Sequence, residues 1–308
     1  MTQIVEHKPD AVAEGRPWAH GIAYVGDAFV PAAEARVSIF DHSFLYGDGA
    51  FESIVFRNGR TFAFDAHVDR LLDSCAYLKL TFPIAVEDIR RISGELIERN
   101  EMSAGYLRIV VSRGEGYPLS DPRRTSGALL VLSVQGTPPY GDRSGVRLIT
   151  ASTRRTPAAS LDPKAKLNNY GNHIVAKLEA IGAGADDALM LDTRGDVAEL
   201  PGCNIFLVKQ HELATPAAGS ILLGITRRTV LQLGNSGQVD GIDRVSERRV
   251  TPFELYSADE VFVTGTGTGL AHVSEVDGRP IGAGPAGVTT QLARLYDELL
   301  DQGGELES

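Results

Sequence analysis

The feature that most constrains this chain is a break at Gly136-Thr137-Pro138-Pro139-Tyr140-Gly141. Proline has no backbone N–H and a fixed φ, so neither a helix interior nor a central strand runs through a Pro-Pro pair. The break therefore predicts a linker over 136–142 between a first domain over 21–135 and a second over 143–308, preceded by a polar arm over 1–20. Each piece is of ordinary domain size.

Within the first domain, IAYVGDAFV reads as a hairpin turning at Gly26-Asp27. Strands are expected at 50–56, 106–112 and 128–134, with TFAF at 61–64 as a strand returning from the turn at 57–60. Asp65 is placed to cap a helix running to about Leu80, and a second helix fits 86–100. The second domain reads as strands at 146–151, 188–191, 204–208 and 261–264 with helices at 168–181, 225–233 and 287–300, Ile174, Leu178 and Ile181 sharing one face of the first. Strands and helices mix irregularly, so a regular βαβ series is not expected; the pattern is that of an α+β protein.

Composition decides against several function classes. At 43% hydrophobic and 23% charged residues the chain has material for large cores. A formal net charge of -10 argues against a nucleic-acid partner and a polybasic membrane anchor, and no apolar run reaches the roughly 20 residues that span a bilayer. The N-terminus has no apolar core of a secretory signal. Cys75 and Cys203 stand far apart with no metal spacing, and the histidines follow no ligand pattern, so a cytoplasmic protein without a metal is expected.

Lysine is scarce: Lys8, Lys79, Lys164, Lys166, Lys177 and Lys209 are the full set. Lys166 falls in DPKAKLNNYGNH, at the expected start of a helix, where it reads first as a solvated lysine; a cation there faces the positive end of the macrodipole, which disfavours the charged form and is compatible with Schiff-base chemistry. Lys164 competes with it on these grounds. Glu199 sits in RGDVAELPGCNIFLV and Arg70 in HVDRLL beside an apolar stripe; either could be a plain surface charge. GTGTG at 265–269 matches neither GxGxxG nor a P-loop, and reads as a tight turn able to present N–H groups to an anion.

These stretches together resemble the class IV aminotransferases, the fold-type IV pyridoxal-phosphate enzymes that include branched-chain and D-amino-acid transaminases. The resemblance runs from about Gly21 to Leu300 through VSIFDHSFLYGDGAFESI, HVDRLLDS, GYLRIVVSRGEG, KLNNYGNHIVAKLEA, GDVAELPGCNIFLV, ILLGITRRTV and VFVTGTGTGLAHVSEVDGRPIGAGPAG, in that order. It implies a small α/β domain, a larger domain with a β-barrel-like core, pyridoxal 5'-phosphate as cofactor, and a homodimer. Residue by residue it implies Lys166 as the Schiff-base lysine, Glu199 on the pyridine nitrogen, Arg70 with the N–H groups of Ile225 and Thr226 on the phosphate, Thr266 adding its hydroxyl, and Tyr170 near the 3' oxygen.

For the substrate, the resemblance assigns Tyr106 and the Thr266-Gly267 backbone to the α-carboxylate and Arg108 to the side-chain carboxylate of glutamate. Phe51 stands where D-amino-acid transaminases carry a tyrosine. The loop arginines Arg113, Arg123 and Arg124 are further candidates for a carboxylate trap. The implied activity is ping-pong exchange of an amino group between an amino acid, branched-chain L-amino acids or glutamate favoured, and a 2-oxo acid. A D-amino-acid or (R)-amine transaminase, an aminodeoxychorismate lyase-like enzyme and a non-catalytic ligand-binding descendant are the alternatives.

Overall fold

Two sheets carry the chain in the computed structural model, which describes residues 21–117, 121–136, 145–282 and 287–303. The expected arm over 1–20 and the Pro138-Pro139 pair lie outside the described residues. The first sheet is formed by β1 (Ile22–Val25), β2 (Ala28–Pro31), β3 (Gly49–Arg57), β4 (Arg60–Thr61), β5 (Ala104–Ser112) and β6 (Leu129–Gln135), with α1 (His42–Tyr46), α2 (Phe64–Tyr77) and α3 (Val86–Arg99) between them. Its order is β2-β1-β6-β5-β3-β4, antiparallel throughout. One face packs on α2 and α3 through Ile54, Leu107, Ile109 and Val111 against Val68, Leu71, Ile92 and Leu96.

The second sheet takes β7 (Val146–Thr150), β8 (Asp187–Leu191), β9 (Val197–Glu199), β10 (Asn204–Lys209), β11 (Glu212–Pro216), β12 (Arg244–Arg248), β13 (Glu260–Gly265), β14 (Gly269–Val276) and β15 (Arg279–Pro280). Helices α4 (Gly171–Gly182), α5 (Ile225–Asn235), α6 (Pro252–Tyr256) and α7 (Val288–Gln302) lie among these strands in sequence. The order is β12-β11-β10-β13-β14-β7-β8-β9, mixed in direction. At the end of this path β9 packs back against β10 and β11, so the sheet curls towards a barrel without closing its hydrogen-bond ladder. The fold is α+β. No described helix is long and apolar enough to cross a membrane.

The sheets share a core. Val55 of β3 and Phe62 pack with Phe206, Phe262, Leu292 and Tyr296 from the second half, and Arg57 at the end of β3 pairs with Asp297 of α7 at 2.7 Å.

Three local expectations are corrected. The strand returning at 61–64 is only Arg60–Thr61, because Ala63 turns into the left-handed region at φ 52 and becomes the N-cap of α2. Asp65 consequently lies in the first helical turn, where its charge suits the helix N-terminus, and caps nothing. Helix α4 begins at Gly171 rather than 168, since the Ala50–Leu167 bridge and the Asn168 N–H bond to Gly49 O at 2.9 Å hold the residues before it in extended pairing with β3. The apolar face of α4 points outward: Ile174, Leu178 and Ile181 are exposed, while Ala176 and Ala180 pack on Ala188 and Met190 of β8. Small residues let the helix lie close on the sheet, and the large ones are left outside.

Candidate active site

Alternation along β3 and β5 sets the floor of the site. The register pairs Phe51 with Val110, Ser53 with Arg108 and Val55 with Tyr106, so these six side chains share one face, opposite the face buried by α2. Phe51 is buried. The Arg108 guanidinium lies 3.6 Å from its ring centroid and donates to Ser53 Oγ at 3.3 Å. Burial holds the Arg108 guanidinium below its usual pKa, and among the described residues no carboxylate pairs with it. The Lys166 ammonium lies 4.5 Å from the same ring centroid, and the Tyr170 ring 5.3 Å.

Backbone pairing delivers Lys166 to this place. The Phe51 N–H donates to Lys166 O at 3.0 Å, Lys166 N–H donates to Ser74 Oγ at 3.0 Å, and Ala50 bridges Leu167. The lysine is thus in an extended segment clamped to the head of β3 and to α2, not at the helix start that its sequence context predicts. Lys164 is separated from it, exposed and 3.9 Å from Asp162.

Glu199, the last residue of β9, is buried and accepts three hydrogen bonds. Arg155 Nε donates to Oε1 at 2.7 Å; Asn204 Nδ2 and the Leu222 N–H donate to Oε2 at 3.2 and 3.0 Å. Burial pushes its carboxyl above the usual range, and Arg155 pulls the other way without cancelling that effect. Three donors leave one acceptor position of the carboxylate open. Behind it, His173 stacks on Tyr170 with centroids 4.3 Å apart, its imidazole pushed down to about 3 by burial, then by Arg155 and Lys166.

One cleft gathers several of these groups; its lining includes Arg70, Lys166, Tyr170, Glu199, Thr226 and Thr266. A second adjoins it, shares Lys166 and Tyr170, and is bordered by Arg155 and His173. At one end the first N–H groups of α5, Ile225 and Thr226, have no intrahelical partner. Gly224 before them is required by close approach: a Cβ there would stand 2.1 Å from Asn204 Oδ1. Thr264 Oγ1 is buried in the cleft wall without a partner. Unspent N–H donors at a helix start, an arginine, a buried carboxylate and an amine in one cleft fit a cofactor with an anionic tail, a basic ring nitrogen and a reactive carbonyl carbon.

Not every expected residue lines that cleft. Phe51, Arg108 and Tyr106 share the β3–β5 face beside it, and Gly267 lies in the turn of the β13–β14 hairpin, where a Cβ would meet nothing. The loop arginines do not form a trap. Arg113 is fixed by Asp48 and by Leu78 O, and Arg123 and Arg124 extend into solvent around Asp121. Sequence reasoning missed Arg155, Glu52 and His67. Glu52 left a readable signal, a charge inside the apolar strand AFESIVF; Arg155, within a polar TRRT run, left none.

Removal of Arg155 tests this electrostatic balance. In the cofactor-free protein, Arg155→Met leaves Glu199 buried without its cation, a loss of about 3–5 kcal/mol where the carboxylate is ionised. A carboxyl raised on folding stabilises below its ordinary pKa and loses that contribution as pH climbs through the raised value. The deficit is therefore largest near about pH 8 and shrinks towards about pH 5, as urea unfolding at the two pH values would show. A deficit independent of pH would mean that Arg155 does not act on Glu199.

Comparison with known proteins agrees with this arrangement. The family profile described as amino-transferase class IV matches residues 49–276. A Methanocaldococcus jannaschii protein is 39% identical over 283 residues, 91% of this chain and 97% of its own. The branched-chain-amino-acid aminotransferase of Pseudomonas aeruginosa is 33% identical, covering 91% of this chain and 93% of that one. A branched-chain amino acid aminotransferase from T.th., solved in complex with N-(5'-phosphopyridoxyl)-L-glutamate, superposes with a TM-score of 0.85 at 34% identity over 92% of this chain and 95% of that one. With the profile spanning well over half the chain and these relatives nearly all of it, the protein belongs to the class IV aminotransferases.

Proposed function

We propose that the protein is a pyridoxal 5'-phosphate-dependent transaminase that exchanges an amino group between an L-amino acid, branched-chain or glutamate, and a 2-oxo acid. The observation that carries this reading is the convergence of Lys166, Glu199 and Arg70 on one cleft. When bound, the cofactor supplies an electron sink for the carbanion formed at the substrate Cα. Lys166 provides the amine that holds the cofactor covalently and, once freed, carries the proton from the substrate Cα. Glu199 would turn its open acceptor position to the ring nitrogen. Arg70, the N–H groups of Ile225 and Thr226, and the Thr266 hydroxyl hold the phosphate. Tyr170, stacked on His173 and tilted against Phe51, would meet the 3' oxygen.

Arg108 supports the glutamate half of the substrate range. A half-buried guanidinium without a carboxylate partner among the described residues is a receptor for an anion. The aromatic floor at Phe51 and the apolar neighbour Val110 accept an aliphatic side chain, and Phe51 offers no hydroxyl for a D-substrate carboxylate. Tyr106 and the Thr266-Gly267 backbone take the α-carboxylate. The relative from T.th. carries a phosphopyridoxyl adduct of L-glutamate, and the P. aeruginosa relative is named for branched-chain substrates; both agree with this range.

The chain divides functionally into the domain over 21–135, the linker over 136–142 and the cofactor-binding domain over 143–308. It works as a homodimer. Ile39, Phe40 and Phe44, just ahead of β3, are 66%, 52% and 70% exposed, an apolar run that a second copy would cover. Sedimentation at micromolar concentration tests this, a monomer being the contrary result.

Two substitutions test the chemistry. Lys166→Ala removes the link that borohydride makes permanent, read by intact mass, and lowers the turnover rate by at least about 10²–10⁴-fold. The same loss in Lys164→Ala instead would place the chemistry on the other lysine. Arg108→Met weakens glutamate by roughly 2–5 kcal/mol while leucine and valine change far less. Equal loss for all donors would make Arg108 structural, and a wild-type preference for D-alanine or (R)-phenylethylamine over every L-amino acid would overturn the L-assignment.

A further inference from the structure

Arg70 is held from behind by a group outside the cleft lining. Its Nε donates to Glu52 Oε1 at 2.6 Å and its Nη2 to Glu52 Oε2 at 3.0 Å. Glu52 Oε2 also lies 2.7 Å from His67 Nδ1 and accepts the Ser53 N–H at 3.1 Å. Glu52 is 0% exposed, and of these four contacts one falls on Oε1 and three crowd Oε2. Burial opposes its ionisation, but Arg70 and His67 overcome that and hold the carboxyl far below the usual range. Burial also pushes the His67 imidazole down, against the pull of Glu52.

A guanidinium has five N–H donors. Two of Arg70's go to Glu52 and one to Leu223 O at 2.9 Å, leaving two. Leu223 directly precedes Gly224, the N-cap of α5, whose first N–H groups border the same cleft. Glu52 on β3, Arg70 on α2 and Leu223 before α5 therefore form one continuous chain. It sets the arginine and the helix start, which come from different halves of the protein, in fixed relation.

We infer that Glu52, backed by His67, is a positioning residue that presets Arg70 for the cofactor phosphate, so that phosphate-specific affinity depends on a carboxylate that does not line the cleft. The inference rests on Arg70 being the phosphate arginine. Its physical basis is preorganisation: a planar fork already locked on one edge loses little freedom when its remaining donors meet an anion. The opposing possibility has the opposite sign. If Glu52 only neutralised Arg70, it would compete with the phosphate, and its removal would tighten binding.

The test uses the cofactor-free full-length chain, titrated by calorimetry with pyridoxal phosphate and with pyridoxal, which lacks the phosphate, and with inorganic phosphate as competitor. Glu52→Gln is expected to weaken pyridoxal phosphate by about 10- to 100-fold while pyridoxal changes by no more than about twofold. Inorganic phosphate should then lose its ability to compete. Equal weakening of both ligands, or tighter binding of pyridoxal phosphate, overturns the proposal. Should Glu52→Gln fail to fold, His67→Ala, which leaves the carboxylate in place, decides: a smaller but still phosphate-selective loss supports the proposal, and no selective loss overturns it. Arg70→Ala separates the two levels. If it leaves the ratio of the two affinities unchanged, the phosphate reading of Arg70 fails and this inference with it; if it abolishes the ratio while Glu52→Gln does not, only the inference fails.

Discussion

The short backbone bridge between the head of β3 and the segment around Lys166 is the constraint on which the site depends. Phe51 N–H to Lys166 O, Asn168 N–H to Gly49 O and the Ala50–Leu167 bridge fix a lysine from the second half of the chain over an aromatic ring from the first. Main-chain pairing leaves a residue little freedom to choose its side. The rest follows from that registration: the alternation of β3 and β5 puts Phe51 and Arg108 on the lysine's side, and Glu52 on the opposite face, beneath α2.

Buried charge is the second organising principle. Glu199 is answered by Arg155 and Glu52 by Arg70 and His67, because an ion sealed from water without a partner is too costly to keep. Arg108 breaks this pattern. Half-buried over the aromatic floor of Phe51 and without a carboxylate partner among the described residues, it is the basis of the anion subsite proposed above. The two paired acids serve different ends: Glu199 borders the cleft, whereas Glu52 acts through the arginine that does.

Much of this was legible in the residues. The hairpin at Gly26-Asp27, the strands at β3, β5 and β6, and helices α3 and α5 follow from turn chemistry and periodicity, which are local. Errors fell where a distant partner overrode local preference. Helix α4 starts late because the Ala50–Leu167 bridge holds the residues before it in extended pairing with β3, and its large apolar side chains are exposed because its alanines are what pack on β8. The loop at 113–124 reads as a cluster of cations, yet Asp48 and Asp121 had already claimed them.

The sequence by itself determined the inventory: which lysines exist, the ordered motifs that carry the family resemblance, and the alternation that makes Arg108 and Tyr106 neighbours on one face. These are properties of spacing along the chain. Only the tertiary structure placed Lys166 in the cleft lining and Lys164 in solvent beside Asp162, because the two differ in what stands opposite them and not in their local context. It alone joined Arg155 to Glu199, 44 positions away, and Glu52 to Arg70 and Leu223. Burial and charge pairing are set by what packs against a residue from elsewhere in the fold, and no pattern of neighbours in sequence encodes that distance.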